Sequence, residues 1–329
     1  MTRLAPPGSD DLPANSLITV GLNAVIVAVT EDTPRILTVS RSVVPGDASL
    51  PPRLPYGLLD PKADRTLELG LRRWVAEQTG MSLGYVEQLY TFGDQDRDPV
   101  SARGGGRRLS VAYLALVREN VPAGSHAAWR DWYHFFPWED WRAGRPAILE
   151  TLVLPRLQAW ADAGSTAVEQ SRRRKRVDMV FGCHGAPWNR ERVLDRYELL
   201  FEAQCVTESR DGCSAAGSNQ FGAFMFLDHR RILATALDRL RGKLTYRPVV
   251  FELCPQTFTL FQLQRIVEAL AGVRRHKQNF RRLVENARLV EGTGQKLYQQ
   301  RGRPAELFRF RKEVLWERPA PGVGLPGQS

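Results

Sequence analysis

The sequence predicts an α/β sandwich domain followed by an α+β winged helix-turn-helix domain. Three observations carry this. The first 141 residues run strand, loop, helix and further strands, the order of an α/β sandwich. The last quarter holds two short amphipathic helices followed by a strand, a loop and a strand. The positive charge is also confined there. Residues 228–318 contain 20 Lys and Arg against 9 Asp and Glu, an excess of 11, whereas the whole 329-residue chain carries only +10. The remainder sums to −1, so the asymmetry is that of a nucleic-acid-binding module joined to a near-neutral partner.

In the N-terminal part, residues 17–143, the segments 17–29 and 35–40 are rich in Val, Ile, Leu and Thr and predict two strands around a turn at 31–34. A Pro- and Gly-rich loop covers 45–64. A helix is predicted over 66–79, with Leu67, Leu71, Trp74 and Val75 on one face and a stop at Gly80. Segments 86–92 and 109–117 predict further strands, separated by a polar, Gly-rich stretch at 93–108. Segment 129–141 holds four of the eight tryptophans, a pattern expected of core and of a dimer interface.

The middle part, 144–227, predicts helices over 148–163 and 190–203. The basic run at 172–176, Arg-Arg-Arg-Lys-Arg, is expected as an exposed loop, and 209–220 as a flexible Gly/Ser-rich one. Residues 1–16 and 319–329 are expected as flexible termini.

The C-terminal part, 228–318, predicts a helix over 229–243 leading into the apolar segment 249–253. Thr259-Leu260-Phe261-Gln262 has the form of a capping box. It opens a helix with Leu260, Leu263, Ile266, Val267 and Leu270 on one face, closed at Gly272. A second helix follows over 277–287, its apolar stripe made by Phe280, Leu283, Val284 and Ala287. At 100° per residue the opposite face centres on Gln278, Arg282 and Glu285, flanked by Arg281, Asn279 and Asn286, with Lys277 at its start. Arg, Asn and Gln are the side chains that pair bidentately with base edges in a major groove. The strands 295–298 and 307–310 enclose Arg301-Gly302-Arg303-Pro304, a stiff basic turn suited to phosphates or a narrow minor groove. The candidate DNA-contacting residues are therefore Lys277, Gln278, Asn279, Arg281, Arg282, Asn286, Arg301 and Arg303, and the expected partner is double-stranded DNA.

Composition excludes other classes. No run approaches the roughly 18 apolar residues of a membrane span, and residues 1–16 lack the apolar stretch of a secretory signal. The four cysteines, Cys183, Cys205, Cys213 and Cys254, form no CxxC pair and no zinc-ligand spacing, as expected of reduced thiols in a cytoplasmic protein.

Leu54-Pro55-Tyr56-Gly57, then Arg73, Glu77 and Gly80-Met81, resemble a degenerate Nudix box. Against the pattern Gly-x5-Glu-x7-Arg-Glu-U-x-Glu-Glu-x-Gly-U, where U is aliphatic, Arg73 and Val75 match, and the acidic positions of the helix fall on Trp74, Glu77 and Gln78. The loop acid falls on Arg65, in a loop two residues longer than the pattern. Pyrophosphate hydrolysis needs carboxylates to hold Mg²⁺, and one out of four is too few. A lost hydrolase activity, no catalytic residue and no metal are therefore expected.

A Nudix-like domain followed by a winged helix resembles the Nudix-related transcriptional regulators of NAD metabolism. The resemblance is strongest at His276-Lys277-Gln278-Asn279-Phe280-Arg281-Arg282-Leu283-Val284-Glu285 and at Arg301-Gly302-Arg303-Pro304-Ala305-Glu306-Leu307-Phe308. It extends over 228–251, 91–99 and 110–117. The middle segment, absent from shorter NrtR-type regulators, looks like that of the longer NadQ type. The resemblance implies a dimeric cytoplasmic repressor of NAD biosynthesis or salvage genes, controlled by an adenine nucleotide: ADP-ribose, NAD or ATP. It places Arg41, Arg97 and Asp98 in the effector cleft, beside Arg73 and Glu77 of the box. Two other readings stay open: an active Nudix pyrophosphatase on ADP-ribose or NAD(H) with a basic appendage, and a constitutive DNA-binding or architectural protein.

Overall fold

Gly21 to Ala28 are all buried, so this strand is covered on both faces of its sheet. That strand, β1 (Thr19–Thr30), is the centre of the N-terminal domain. The structure, a computed structural model, describes residues 18–40, 51–94, 106–121, 126–209, 219–298 and 304–314. A two-residue turn at Glu31 and Asp32, both at positive φ (48° and 64°), returns the chain into β2 (Thr33–Val39). Positive φ at both positions matches the strands' right-handed twist. The short β3 (Tyr56–Leu58) also pairs antiparallel with β1. After helix α1 (Leu67–Thr79) come β4 (Tyr85–Phe92), β5 (Arg108–Leu116) and β6 (Ala127–Asp131). The sheet order is β4-β5-β1-β2-β6, with β5 parallel to β1 from Thr19↔Arg108 to Val27↔Leu116 and β3 alongside β1.

One face, carrying Leu22, Ala24, Ile26, Leu37, Val111 and Tyr113, packs on Leu71 and Val75 of α1. Thr66 caps that helix, its hydroxyl accepting from Leu69 N at 3.1 Å, and Gly80 closes it at φ 69°. The other face, with Val25, Val27, Ile36, Ala112 and Leu114, joins a much larger core. It includes the buried Trp132, Phe135, Phe136 and Trp138, so the aromatic segment is core, wound into two 3₁₀ turns, Trp132–His134 and Pro137–Glu139. The sequence therefore folds into the predicted α/β/α sandwich, but its second helical layer comes from the C-terminal half of the chain.

The middle segment is helical. A π-helical turn, Leu149–Val153, runs into α2 (Leu154–Asp162), followed by α3 (Ala167–Phe181) and α4 (Val193–Glu202). The basic run 172–176 is not a loop; it lies inside α3. Arg173 pairs with Glu169, Arg174 with Asp162 and Arg176 with Glu202, so local carboxylates neutralise what the sequence shows as a charge cluster. Of the segment expected to be flexible, 210–218 lie outside the described residues, as do 1–16 and 319–329.

Helix α5 (His229–Tyr246) then crosses the sheet's second face. It leads through a 3₁₀ turn, Pro248–Leu253, to α6 (Leu260–Ala271), α7 (Lys277–Asn286) and the hairpin β7 (Val290–Leu297) and β8 (Ala305–Phe310). The capping box forms as predicted: Thr259 Oγ1 accepts from Gln262 N at 3.1 Å and Gln262 Oε1 accepts from Thr259 N at 2.8 Å. The wing's first strand starts at Val290, five residues before its predicted start.

These pieces meet at Glu139, which is fully buried. Arg196 of α4 donates to it through Nε (2.5 Å) and Nη2 (3.1 Å), and Arg241 of α5 donates through Nη1. Burial pushes the Glu139 carboxyl up, but the two guanidiniums outweigh it and hold the group ionised, below the ordinary value. Removing one partner of a buried ion pair leaves uncompensated charge and costs about 3–5 kcal/mol. Glu139→Gln is therefore expected to lower stability by that order, read as a reduced urea midpoint. An Arg196→Met/Glu139→Met/Arg241→Leu triple variant should recover most of it.

Candidate functional site

Helix α7 buries Phe280 and Val284 and leaves Lys277, Gln278, Asn279, Arg281, Arg282 and Asn286 exposed. Six of the eight predicted DNA-contacting residues thus share one helix face; Arg301 and Arg303 lie outside the described residues. Arg281 pairs along the helix with Glu285 at 2.7 Å, which raises the guanidinium's pKa and keeps it ionised. The turn that aims α7 is fixed by Glu268, which is almost fully buried. Its carboxylate accepts from Gln264 Nε2 (2.8 Å), Arg275 N (2.8 Å) and Arg274 Nη1 (2.9 Å). Burial pushes this carboxyl up, and the bonds from the Arg275 backbone, Gln264 and Arg274 outweigh it to hold it below its ordinary value. Gly272, at φ 72°, could not carry a side chain: a Cβ would come within 2.5 Å of the Glu139 carbonyl oxygen. The wing is tied to the helices by a bridge from Phe258 to Phe308 and by Phe251 stacked on Phe310 at 4.3 Å. Its strands shift register between Gly292 and Lys296.

On α1, Trp74 and Gln78 are both engaged with the β3 backbone. The Trp74 indole lies flat on Gly57, where a Cβ would come within 2.0 Å of the ring, and its Nε1 donates to Leu58 O at 2.8 Å. Gln78 holds both backbone groups of Tyr56, accepting from N (3.2 Å) and donating to O (2.6 Å). Arg73 forks onto Asp64 (3.0 and 2.9 Å) and also reaches Glu77 at 3.3 Å. The Arg73 bond holds the Asp64 carboxyl below its usual value. Arg73 and Glu77 are therefore brought together, but as part of an ion-pair network with Asp64, which the sequence reading did not single out. Among the described residues no group of three or more His, Cys, Asp or Glu is placed to hold a metal ion.

A small cleft opens between the end of β4 and the start of α5, lined by Phe92, Gly93, Asp94, Arg108, Ser110 and His229. His229 is buried, its Nδ1 accepting from Leu54 N at 2.9 Å. Beside it the Arg53 guanidinium sits 6.0 Å from the Tyr56 ring and 5.9 Å from Phe226. At the rim Arg231 pairs with Asp94, with Glu198 of α4 at 2.6 Å and with Asp228. The predicted effector residues Arg41, Arg97 and Asp98 lie outside the described residues, though Asp94 at the rim is three positions before Arg97. His229, Arg53 and Arg108 carried no recognisable signal: their partners are brought in by the fold, as with Leu54 and His229, 175 residues apart.

Residues 250–310 match the family of NrtR DNA-binding winged helix domains. The C-terminal part of the chain is therefore similar to the NrtR winged helix. The chain is 24% identical over 312 residues, 93% of this chain and 86% of the other, to the ADPR responsive transcriptional repressor NtrR of Acinetobacter baylyi. NrtR of Shewanella oneidensis, in its crystal structure with a 27mer DNA, has a similar fold: TM-score 0.53, 23% identity, 90% of this chain and 94% of that one. A MutT/nudix family protein from Enterococcus faecalis is similar too, at TM-score 0.51 and 16% identity over 92% and 90% of the two chains. These NrtR-type likenesses span the Nudix-like sandwich and the winged helix together. No helix among the described residues is long and apolar enough to cross a membrane.

Burial, and then the Arg53 and Arg108 charges, push the His229 imidazole down from 6.5 to about 3. The folded protein keeps it neutral, while the unfolded chain takes up a proton below 6.5. Stability contributed by the neutral ring is full above that pH and is lost as the pH falls toward about 3. At pH ~5 the loss amounts to about 2 kcal/mol. His229→Gln, which keeps an acceptor for Leu54 N, is expected to flatten this acid limb in urea unfolding measured from neutral to acid pH.

Proposed function

We propose that this protein is a DNA-binding transcriptional repressor of NAD biosynthesis or salvage genes, acting as a homodimer and controlled by an adenine nucleotide. The observation that carries this reading is the exposed face of α7, where Lys277, Gln278, Asn279, Arg281, Arg282 and Asn286 stand together in a segment of NrtR winged-helix type. A relative that responds to ADP-ribose makes ADP-ribose the first candidate effector, with NAD and ATP as the others. The effector takes the Nudix-like cleft, where Arg41, Arg97 and Asp98 supply the polar contacts to its phosphates and ribose.

The Nudix-like domain acts here as a sensor rather than a hydrolase. Trp74 and Gln78 support this, since both are committed to the β3 backbone where a hydrolase would place metal-binding carboxylates. Arg282 and its neighbours enter the major groove, and two recognition helices of a dimer meet half-sites about one helical turn apart. Nucleotide binding favours a second arrangement with lower operator affinity, by as much as its affinity for the two arrangements differs.

Gel-shift titration of promoter DNA tests the reading. Arg282→Ala is expected to cost about 1–3 kcal/mol of specific binding, roughly ten- to a hundredfold, with the melting midpoint unchanged. ADP-ribose is expected to release the wild-type protein from DNA. Binding indifferent to ADP-ribose, NAD and ATP would overturn the sensing role, and magnesium-dependent turnover of ADP-ribose or NADH would restore the hydrolase reading.

A further inference from the structure

Helix α7 ends on a residue poorly suited to end it. Beyond Asn286 and Ala287 the chain enters the left-handed region at Arg288, φ 48°. That conformation favours glycine, because a Cβ there crowds the backbone. Gly80, Gly182 and Gly272 take it behind α1, α3 and α6. Gln204 takes it behind α4, so the strain alone marks no site. What sets Arg288 apart is its place, two residues beyond Asn286 at the end of the reading face.

The contacts around Arg288 fix its backbone and leave its side chain to solvent. Its N–H donates to Glu285 O at 2.9 Å, and its carbonyl accepts from Arg311 Nη1 at 3.0 Å. Arg311 N donates to Leu289 O, also at 3.0 Å, which ties the chain leaving β8 to the end of α7. Leu289 and Val314, both fully buried, anchor the two sides of this junction. The Arg288 side chain is exposed, and its guanidinium has no hydrogen bond or ion pair among the described residues. The carboxylates nearest in the chain are taken, Glu285 by Arg281 at 2.7 Å and Glu291 by Arg309 at 2.5 Å.

Ten residues make α7 about 15 Å long, and the major groove of B-DNA is about 12 Å wide. A helix seated there with Gln278 and Arg282 on base edges brings its ends to the phosphate strands on either side. The C-terminal end of a helix carries partial negative charge and by itself repels phosphate. Cations at that end, Arg288 with Arg311 bonded to its carbonyl, reverse the sign.

We propose that Arg288 contacts a DNA backbone phosphate at the far end of α7, and that this contact keeps an arginine where the backbone favours glycine. This rests on the DNA-binding reading and adds to it a contact that sets the register of the helix on the duplex without reading bases.

Phosphate contacts release counterions whatever the sequence, so the salt dependence of binding to a fluorescent random-sequence duplex isolates them. Full-length Arg288→Gly is expected to melt no lower than wild type, since glycine relieves the left-handed turn. Its slope of log affinity against log salt is expected to fall by about 0.9. Arg288→Asn, which also tolerates that turn, loses the same slope, and Arg288→Lys keeps it. The ratio of promoter to random-duplex affinity stays at the wild-type value in all three. An unchanged slope in the Gly and Asn variants overturns the contact and leaves DNA binding standing. A fall in the affinity ratio makes Arg288 a base reader and overturns the phosphate assignment. Wild-type protein that ignores the duplex at low salt overturns both the contact and the reading it rests on.

Discussion

A carboxylate with no exposed surface, Glu139, decides how this chain is put together. Moving an ion out of water costs several kcal/mol, so a buried carboxylate is tolerable only where its lone pairs are met by donors in good geometry. Arg196 arrives from 57 residues away and Arg241 from 102. Their remaining N–H groups are used as well. Arg196 donates to the carbonyls of Val180 and Asn189, and Arg241 to those of Glu139 and Leu270. Hydrophobic side chains of equal volume could hold the same segments together as firmly. They would not require the end of the sandwich, the middle helices and the turn of the winged helix to meet at one pair of oxygens.

That requirement gives the middle segment its role in the fold. The aromatic turns after β6 have no helix of their own domain to cover them, and Phe136, Trp138 and Tyr197 stack edge-to-face across the join with α4. Arg230, also fully buried, repeats the device one layer away. It donates to Phe135 O and Phe221 O and pairs with Glu208 at 3.3 Å. The result is one continuous apolar core from the sheet to Phe280 and Val284 of the recognition helix. Among the described residues a single core runs through sandwich, middle helices and winged helix.

Much of this was legible in the residues. Apolar runs and helical periodicity place β1, β2, β4, β5, β8, α1, α6 and α7 to within a few residues, whereas β3 falls inside a predicted loop, β6 is not predicted and β7 starts five residues earlier than predicted. The capping box at Thr259 and the stop at Gly272 are local chemistry and need no tertiary context. The run 172–176 misled because charge density alone does not distinguish a loop from a helix; its carboxylate partners at 162 and 202 come from other elements. The sequence shows Trp74 and Gln78 only as residues that depart from an acidic pattern; their bonds to the β3 backbone show only in the fold. Asp64 and His229 were invisible for the same reason. A polar residue's role depends on its partner, and here the partners lie far off in sequence.

The length and placement of α5 bear on how a ligand in the cleft could reach DNA. Eighteen helical residues span about 27 Å. The first of them, His229, lines the cleft, and Arg241, near the far end, bonds the last turn of α6. Lys243 also ties this end to Glu87 of the sheet. A helix clamped along its length cannot melt locally without opening the core, and a close-packed interior transmits displacement rather than absorbing it. On the proposed sensing role, a push on Asp94, Arg231 or His229 would tilt α5 with its attached turn rather than unfold α7. In a protein reading two half-sites, a rigid tilt of this kind alters the spacing of the two recognition helices while leaving each reading face intact. Affinity for the correctly spaced operator then falls further than affinity for a single half-site, which separates a tilt from a loss of the reading surface.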